Sequence, residues 1–392
     1  MITARILFVT FLQLGLTSFG GPIAHLGHFR REMIRRGWLD EQDYLHIVSL
    51  CQLLPGPTSS QVGMAIGMLK GGALGAAAAW LGFTLPSAFL MVALGWATLK
   101  FGQNGWGELD IRGLKAFTAA VVAQAVWSMV RPLLNDPWHW MFLSIGTGLA
   151  LGFSGPWVQP AMVLAFGLLG GLVLRKPETK AVQSELKSHI RPSAALGFLI
   201  ASIALLVALP MLRSVLGSAG ALFDSFYRSG ALVFGGGHVV LPLLREETIA
   251  RTHWVTAEQF VAGYGLVQLV PGPLFSFAAY LGMVAQVPLH PVLSASIALT
   301  GIFLPSYLWT LGIWPFWNQL RANRRLQAAF LGIQIGVVGL LIAALYTPVL
   351  TEAIHAPRDL IWVFLALGLL IRNYPVWIVA LITLTVAGLF GK

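Results

Sequence analysis

Charge is scarce in this chain. Of 392 residues only 10% are Asp, Glu, Lys or Arg, where a soluble domain carries about a quarter. An ordinary soluble enzyme is therefore excluded. Cysteine is scarcer still: Cys51 stands alone, which excludes an intrachain disulfide and a thiolate metal cluster. The 15 carboxylates lie almost wholly in polar stretches. There is no deep carboxylate pair, Asp-rich prenyl motif, Walker loop or Gly-x-Ser-x-Gly elbow. An ATP-driven pump, a carboxylate-relay cation carrier and a metal-dependent membrane enzyme are accordingly not expected. No enzymatic activity, metal or cofactor is expected.

Apolar residues fill the space that charge leaves. They make up 57% of the chain, beside 43 glycines, and mean hydropathy is +0.76. Together they number about 266, enough for about 13 helices at roughly 20 residues per span. A closed β-barrel needs strands that alternate polar and apolar positions, whereas residues 196–209 are apolar on every face. The fold class is all-α, a polytopic membrane protein. The N-terminus runs apolar with no small-residue cleavage site, so it reads as an uncleaved first span without a signal peptide.

Lys and Arg number 25 against 15 acidic residues, a formal charge of +10. The basic residues are scattered over short loops and form no stripe, so nucleic acid is not an expected partner. The surplus has two readings. One is the bias of cytoplasmic loops toward Lys and Arg; the other is attraction for anions.

One stretch is clearly polar, residues 175–191, with Arg175, Lys176, Lys180, Lys187 and Arg191. It reads as a cytoplasmic linker, and the sequence repeats itself on either side. Phe19-Gly20-Gly21 returns as Phe234-Gly235-Gly236, Trp38 as Trp254, Gln52-Leu53-Leu54-Pro55-Gly56-Pro57 as Gln268-Leu269-Val270-Pro271-Gly272-Pro273, and Leu85-Pro86-Ser87 as Leu304-Pro305-Ser306. Four landmarks in the same order indicate duplication, a transporter signature. The expected division is a first transmembrane repeat over 1–174, the linker over 175–192, an extra helix over 193–213 and a second repeat over 214–392. If the segments broken by Pro-Gly-Pro, 44–70 and 258–286, cross the membrane, there are 13 spans and the repeats are inverted. If they are re-entrant, there are 11 crossings and the repeats run parallel. The basic residues divide almost evenly in either case, so charge does not choose.

Pro-Gly-Pro in mid-membrane is the most informative motif. Proline removes a donor and clashes with the preceding turn, so the helix breaks, and proline then restarts it cleanly. A restarted half-helix points its free amides and the positive end of its dipole into the membrane interior, where transporters hold anionic groups. The expected substrate ligands are Gln52, Pro55, Gly56 and Pro57 with the hydroxyls of Thr58, Ser59 and Ser60, and in the second repeat Gln268, Pro271, Gly272, Pro273 and Ser276. Because Leu274 and Phe275 replace Thr58 and Ser59 there, the second break is expected to be poorer in donors. The glycine runs Gly20-Gly21 and Gly235-Gly236-Gly237, with His238, suggest a second set of inward-facing helix ends; they also read as plain helix caps. His25, His28, His46 and His238 make no metal pattern, and His238 is the best placed of them for proton handling. Arg30 and Arg31, Lys115, Arg228 and Arg245 are the candidate anion-attracting cations. Arg228 lies inside an apolar span, where a charge is a functional candidate; an Asp224–Arg228 pair at helical spacing is the competing explanation.

The Phe-Gly-Gly-Pro run, Arg30-Arg31, Trp38-Leu39, Cys51 through Pro57 and Leu85-Pro86-Ser87, taken together, resemble the chromate transporter (CHR) family in its long, duplicated form. The resemblance covers essentially the whole chain. It implies a secondary transporter in the cytoplasmic (inner) membrane that exports chromate and confers chromate resistance, with sulfate as the look-alike anion. It also implies repeats that face opposite ways, which favours 13 spans. The expected partners are chromate or sulfate and membrane lipid, with a homodimer left open. An anion channel, or a carrier of sulfate or another oxyanion with the same architecture, is the alternative. Two helix ends supply about +1 in total, too little for a dianion, so a fixed cation or several hydroxyl donors must complete the site.

Overall fold

The computed structural model describes residues 2–19, 21–101, 108–133, 136–153, 158–174, 190–234, 237–372 and 374–390. They are helical with no strand among them. Five helices are long and apolar enough to cross a membrane, among them Thr58–Phe101 and Pro192–Ala231.

The first repeat opens with α1 (Ala4–Thr17), α2 (Gly21–Arg35) and α3 (Glu41–Leu53). Helix α4 runs from Thr58 to Phe101 but is two limbs, because Gly72 has a non-helical backbone (φ 67°). Then come α5 (Glu108–Leu133), α6 (Pro137–Gly152) and α7 (Val158–Val173). Helix α8 (Pro192–Ala231) also has two limbs, divided at Gly217. Its first limb is the extra helix; its second matches α1. The second repeat continues with α9 (Val240–Arg245), which widens into a π-helical turn over Glu246–Arg251. The remainder is α10 (Ala257–Val267), α11 (Phe277–Val284), α12 (Pro291–Ile313), α13 (Trp317–Ala322), α14 (Arg324–Ala344), α15 (Thr351–Ala353), α16 (Pro357–Ile371) and α17 (Val376–Phe390).

Helix starts follow local chemistry that is shared by the repeats. Asp40 caps α3 by accepting from the Asp43 amide at 2.7 Å, and Glu41 and Asp43 complement the dipole of its first turn. At the matching place Thr256 and Gln259 form a reciprocal capping box at the start of α10. Asn323 caps α14 and Asp136 caps α6 in the same way.

The expected breaks are present, and so is a second kind. Helix α1 has 14 residues, and its Phe11 ring packs on Phe29 of α2 (ring centroids 5.4 Å). It stops at Ser18, and α2 doubles back. The Ile2 amide bonds the Lys70 carbonyl (2.7 Å) at the outer end of the hairpin. Arg36, just past α2, lines a surface groove with Thr3 and Arg5. Segment 3–21 and α2 thus form a helical hairpin. Helix α3 and the first limb of α4 make a second hairpin whose tip is the Pro-Gly-Pro turn. Its outer end is tied to α2 by Arg30–Glu41 (2.7 Å) and by the Tyr44 hydroxyl on the Leu26 carbonyl (2.6 Å).

Small residues let these helices approach closely, as membrane packing favours. Gly15 of α1 lies against the Phe83 carbonyl and Gly82 of α4 against the Phe8 carbonyl. The second repeat repeats both contacts, with Gly230 on Ile302 and Gly301 on Phe223. Gly67 and Gly75 face each other across the Gly72 bend, each without room for a Cβ. Gly75→Leu should therefore cost about 1–3 kcal/mol of stability by overpacking, read as a lower unfolding temperature in detergent; unchanged melting would refute this packing.

The repeats exchange parts. Helices α6 and α7 pack on α14, with Gly146 on Gly336 and Gly170 on Gly332, while α16 and α17 pack on α5, with Gly113 on Leu384. Helices α4 and α12 cross near their middles. Trp80 meets Phe303 (ring centroids 5.7 Å) and the Tyr307 hydroxyl donates to the Ala73 carbonyl (2.9 Å). Position falls along α4 as it rises along α12, so the two helices run in opposite senses. The far end of α4 agrees, with Gly95 against Met283 and Thr98 bonded to Tyr280 (3.3 Å).

Candidate substrate site at the paired breaks

Each Pro-Gly-Pro turn sits on the other repeat. The Gly56 amide donates to the Val233 carbonyl at 2.7 Å, and the Gly272 amide donates to the Ser18 carbonyl at 2.9 Å. Val233 and Ser18 are the equivalent residues that precede the two Phe-Gly-Gly runs. A Cβ on Gly56 would overlap Ser306 Oγ, and one on Gly272 would stand 2.8 Å from Ser87 Oγ. Ser306 and Ser87 are the serines of the two Leu-Pro-Ser motifs. Three of the four duplicated landmarks therefore meet in the interior, twice, always across the repeats.

Left-handed backbone makes the turns, with φ +127° at Gly56 and +108° at Gly272. Pro55, Gly56, Pro57, Pro271 and Pro273 are packed into the interior and Gly272 is half-buried. Gln61, one turn into the restarted helix, donates through Nε2 to the Pro55 carbonyl (2.6 Å) and ties the turn to the limb that follows. Ser59 is buried, with its Oγ 3.4 Å from His25 Nδ1; Thr58 is half-buried. Ser60 and its equivalent Ser276 are buried, and neither hydroxyl has a partner. Ser18 and Ser306 also present buried hydroxyls without partners. Buried polar groups are nearly always satisfied, so the four hydroxyls left over at or beside the two turns are candidate donors to a polar guest.

At the second break the first repeat sets Ser18, whose buried hydroxyl has no partner, and Ser87, whose hydroxyl donates to the Thr84 carbonyl (2.9 Å). On its other side, His238 Nδ1 lies 2.6 Å from the Tyr264 hydroxyl, with Gln268 beside that hydroxyl and Gly237 opening the short turn that carries His238. Gly21 starts α2 at φ +79° and its Cβ position faces open space. Gly20, Gly235 and Gly236 lie outside the described residues. Gln52 is not brought to the turns: it is exposed on α3, and its carbonyl accepts from Gln334 Nε2 (3.1 Å).

The candidate cations are mostly committed elsewhere. Arg30 forks onto Glu41. Lys115 lies between Glu258 (3.5 Å) and Glu352 (3.7 Å). Arg228 pairs with Asp224 (3.3 Å) and Glu247 (2.6 Å), so its guanidinium is held by carboxylates and is not brought to the breaks. Arg31 is exposed. Arg245, whose Nε has no partner, lines a cavity of about 270 Å³ with Gln159, Glu246 and Thr347. At the outer end of α2, hydrogen bonds from Arg35 hold the Glu32 carboxyl below its ordinary range.

The twofold exchange of motifs has a counterpart in comparisons with known proteins. The chromate transporter family model matches residues 5–172 and again residues 220–391. The chain belongs to the chromate transporter family. It is 32% identical over 344 residues to the chromate transport protein of Pseudomonas aeruginosa, covering 86% of this chain and 78% of that one. It is 25% identical to the chromate transport protein of Cupriavidus metallidurans, covering 92% and 86% of the two chains. A transporter of Bacillus subtilis is similar over 96% of its own length but only 43% of this chain, at 25% identity, which is one repeat's worth. No solved structure matches. Members of this family are transporters, and the long apolar helices make this one a multi-pass membrane protein.

The cross-repeat placement of Ser87 and Ser306 escaped sequence reasoning. The Leu-Pro-Ser repeat was its signal: a motif duplicated as faithfully as Pro-Gly-Pro belongs with it.

Proposed function

We propose that the protein is a secondary transporter that exports chromate across the cytoplasmic membrane, with sulfate as the competing tetrahedral dianion. Its substrate site is formed by the two Pro-Gly-Pro turns and the serines that the opposite repeat sets against them. The observation that carries this reading is the pair of unpartnered buried hydroxyls, Ser60 and Ser276, at equivalent positions just past the two turns. Each turn restarts a helix whose amides and dipole favour an anion. Arg30, Lys115 and Arg228 are held by carboxylates, so hydroxyl donors from both repeats are left to complete the coordination. The similarity to named chromate transport proteins supports chromate as the cargo.

The repeats are inverted in this reading, with nine crossings and two re-entrant hairpins in each repeat. The crossings are the second limb of α4, α5, α6, α7, the first limb of α8, α12, α14, α16 and α17. Support comes from the opposed senses of α4 and α12 and from the closed hairpins α1–α2 and α3–α4. With the linker in the cytoplasm, the α2 arginines lie on the cytoplasmic side, and roughly two-thirds of all Lys and Arg fall there, as the positive-inside rule requires.

Everted vesicles, in which export reads as uptake, test the site. A hydrogen bond to a charged group contributes about 1.5–3 kcal/mol. Ser60→Ala/Ser276→Ala should therefore lower chromate uptake at least about tenfold, and uptake at the wild-type rate would sink the assignment.

A further inference from the structure

On the side of the membrane away from the linker, the second repeat carries a buried ion-pair cluster with no counterpart in the first. Arg213, at the end of the extra helix, reaches Asp224, donates to Ser225 Oγ (2.7 Å) and approaches Glu247 (3.4 Å). Arg228 forms ion pairs with Asp224 (3.3 Å) and Glu247 (2.6 Å), and Arg251 bonds Glu247 (3.1 Å). Asp224, Arg228 and Glu247 are 0%, 7% and 6% exposed. In the first repeat Val9, Gln13, Glu32 and Arg36 stand at the equivalent positions. Only the Glu32–Arg36 pair survives there, and Thr10, Gln13 and Arg36 line an open groove.

Three guanidinium groups against two carboxylates leave one positive charge in a place where surplus charge is costly. The two carboxylates are not alike. Asp224 is locked inside α8. Glu247 touches all three arginines and sits on the π-helical turn Glu246–Arg251, a backbone form that concentrates at functional sites. With Glu247 swung away, the three arginines and Asp224 carry +2, equal and opposite to a tetrahedral dianion. Arginine forks match oxyanion geometry.

We infer that Arg213, Arg228 and Arg251 form a dianion subsite at the face opposite the linker, filled in this structure by the Glu247 carboxylate, which the departing oxyanion displaces. This rests on the reading of the protein as an oxyanion carrier. Half-saturating chromate, measured separately at each face in right-side-out and everted vesicles, tests it. Glu247→Gln keeps the side-chain volume and removes the competing charge. It should lower half-saturating chromate about tenfold at the face opposite the linker and leave the linker face unchanged. Arg228→Gln should raise it at that face only. An unchanged value in Glu247→Gln, or an equal change at both faces, overturns the subsite. If Glu247→Gln does not assemble, Arg213→Gln at the exposed edge of the cluster reads the same site. A rise of threefold or more confined to the far face supports the subsite, and no rise overturns it. Ser60→Ala/Ser276→Ala run alongside separates the two ideas. Loss of transport there with a wild-type response in Glu247→Gln removes the subsite and leaves the central site standing. Absence of chromate transport in the wild type removes both.

Discussion

Gly56→Ala should sharply reduce chromate export. At φ +127° an L side chain is strained, by about 1–2 kcal/mol, and the added methyl falls on Ser306 Oγ and within 2.9 Å of Gln61 Nε2. Overpacking of this kind costs about 1–3 kcal/mol more. The strain lands on the turn that aims the restarted helix, so flux in everted vesicles should fall at least tenfold while the protein still inserts. Gly272→Ala should do the same more mildly, because its closest contact, Ser87 Oγ, is 2.8 Å away and ends a short side chain. Gly56→Ala/Ser306→Gly relieves the overlap but not the dihedral, and partial recovery is expected. Wild-type flux in Gly56→Ala would show that the turn does not shape the pathway.

Asp224→Ala should destabilise the fold by about 3–5 kcal/mol, the cost of leaving buried charge without its partner. Asp224 is fully buried, accepts from Arg213 and pairs with Arg228, so its loss leaves Glu247 alone against three guanidinium groups. Thermal unfolding in detergent reads this directly as a large drop in midpoint. Arg35→Ala, which removes an exposed partner of Glu32, should leave the midpoint where it is, since water solvates both groups. Equal midpoints for Asp224→Ala and the wild type would mean that water already reaches the cluster.

Much of the fold was legible in composition and repetition. Runs such as 196–209 left only helices, and four recurring landmarks revealed the duplication. Pro-Gly-Pro announced its own break, because proline's missing amide and glycine's freedom act locally. The hairpin of α1 and α2 was less legible. An apolar run of 19 residues spells a span by length, and only the backbone at the glycine run decides whether the chain continues or returns. Gln52 lies away from the turns for a related reason: adjacency to a break in sequence does not fix which side of α3 a residue faces. The partners of Arg228 were half legible. Asp224 lies one turn away, but Glu247 and Arg213 arrive from other helices, and no local pattern announces them.

The exchange of parts between repeats bears on how such a chain could change over generations. Two identical chains joined as a pair would have to carry every new charge twice, on both faces of the membrane, and a change suited to one face would harm the other. Once fused, each half still needs the other's helices but is free to drift on its own side. The arginine cluster, present in one half and answered in the other by Val9 and Gln13, is what that freedom leaves behind: the linker that joined the copies is also what let them become unequal.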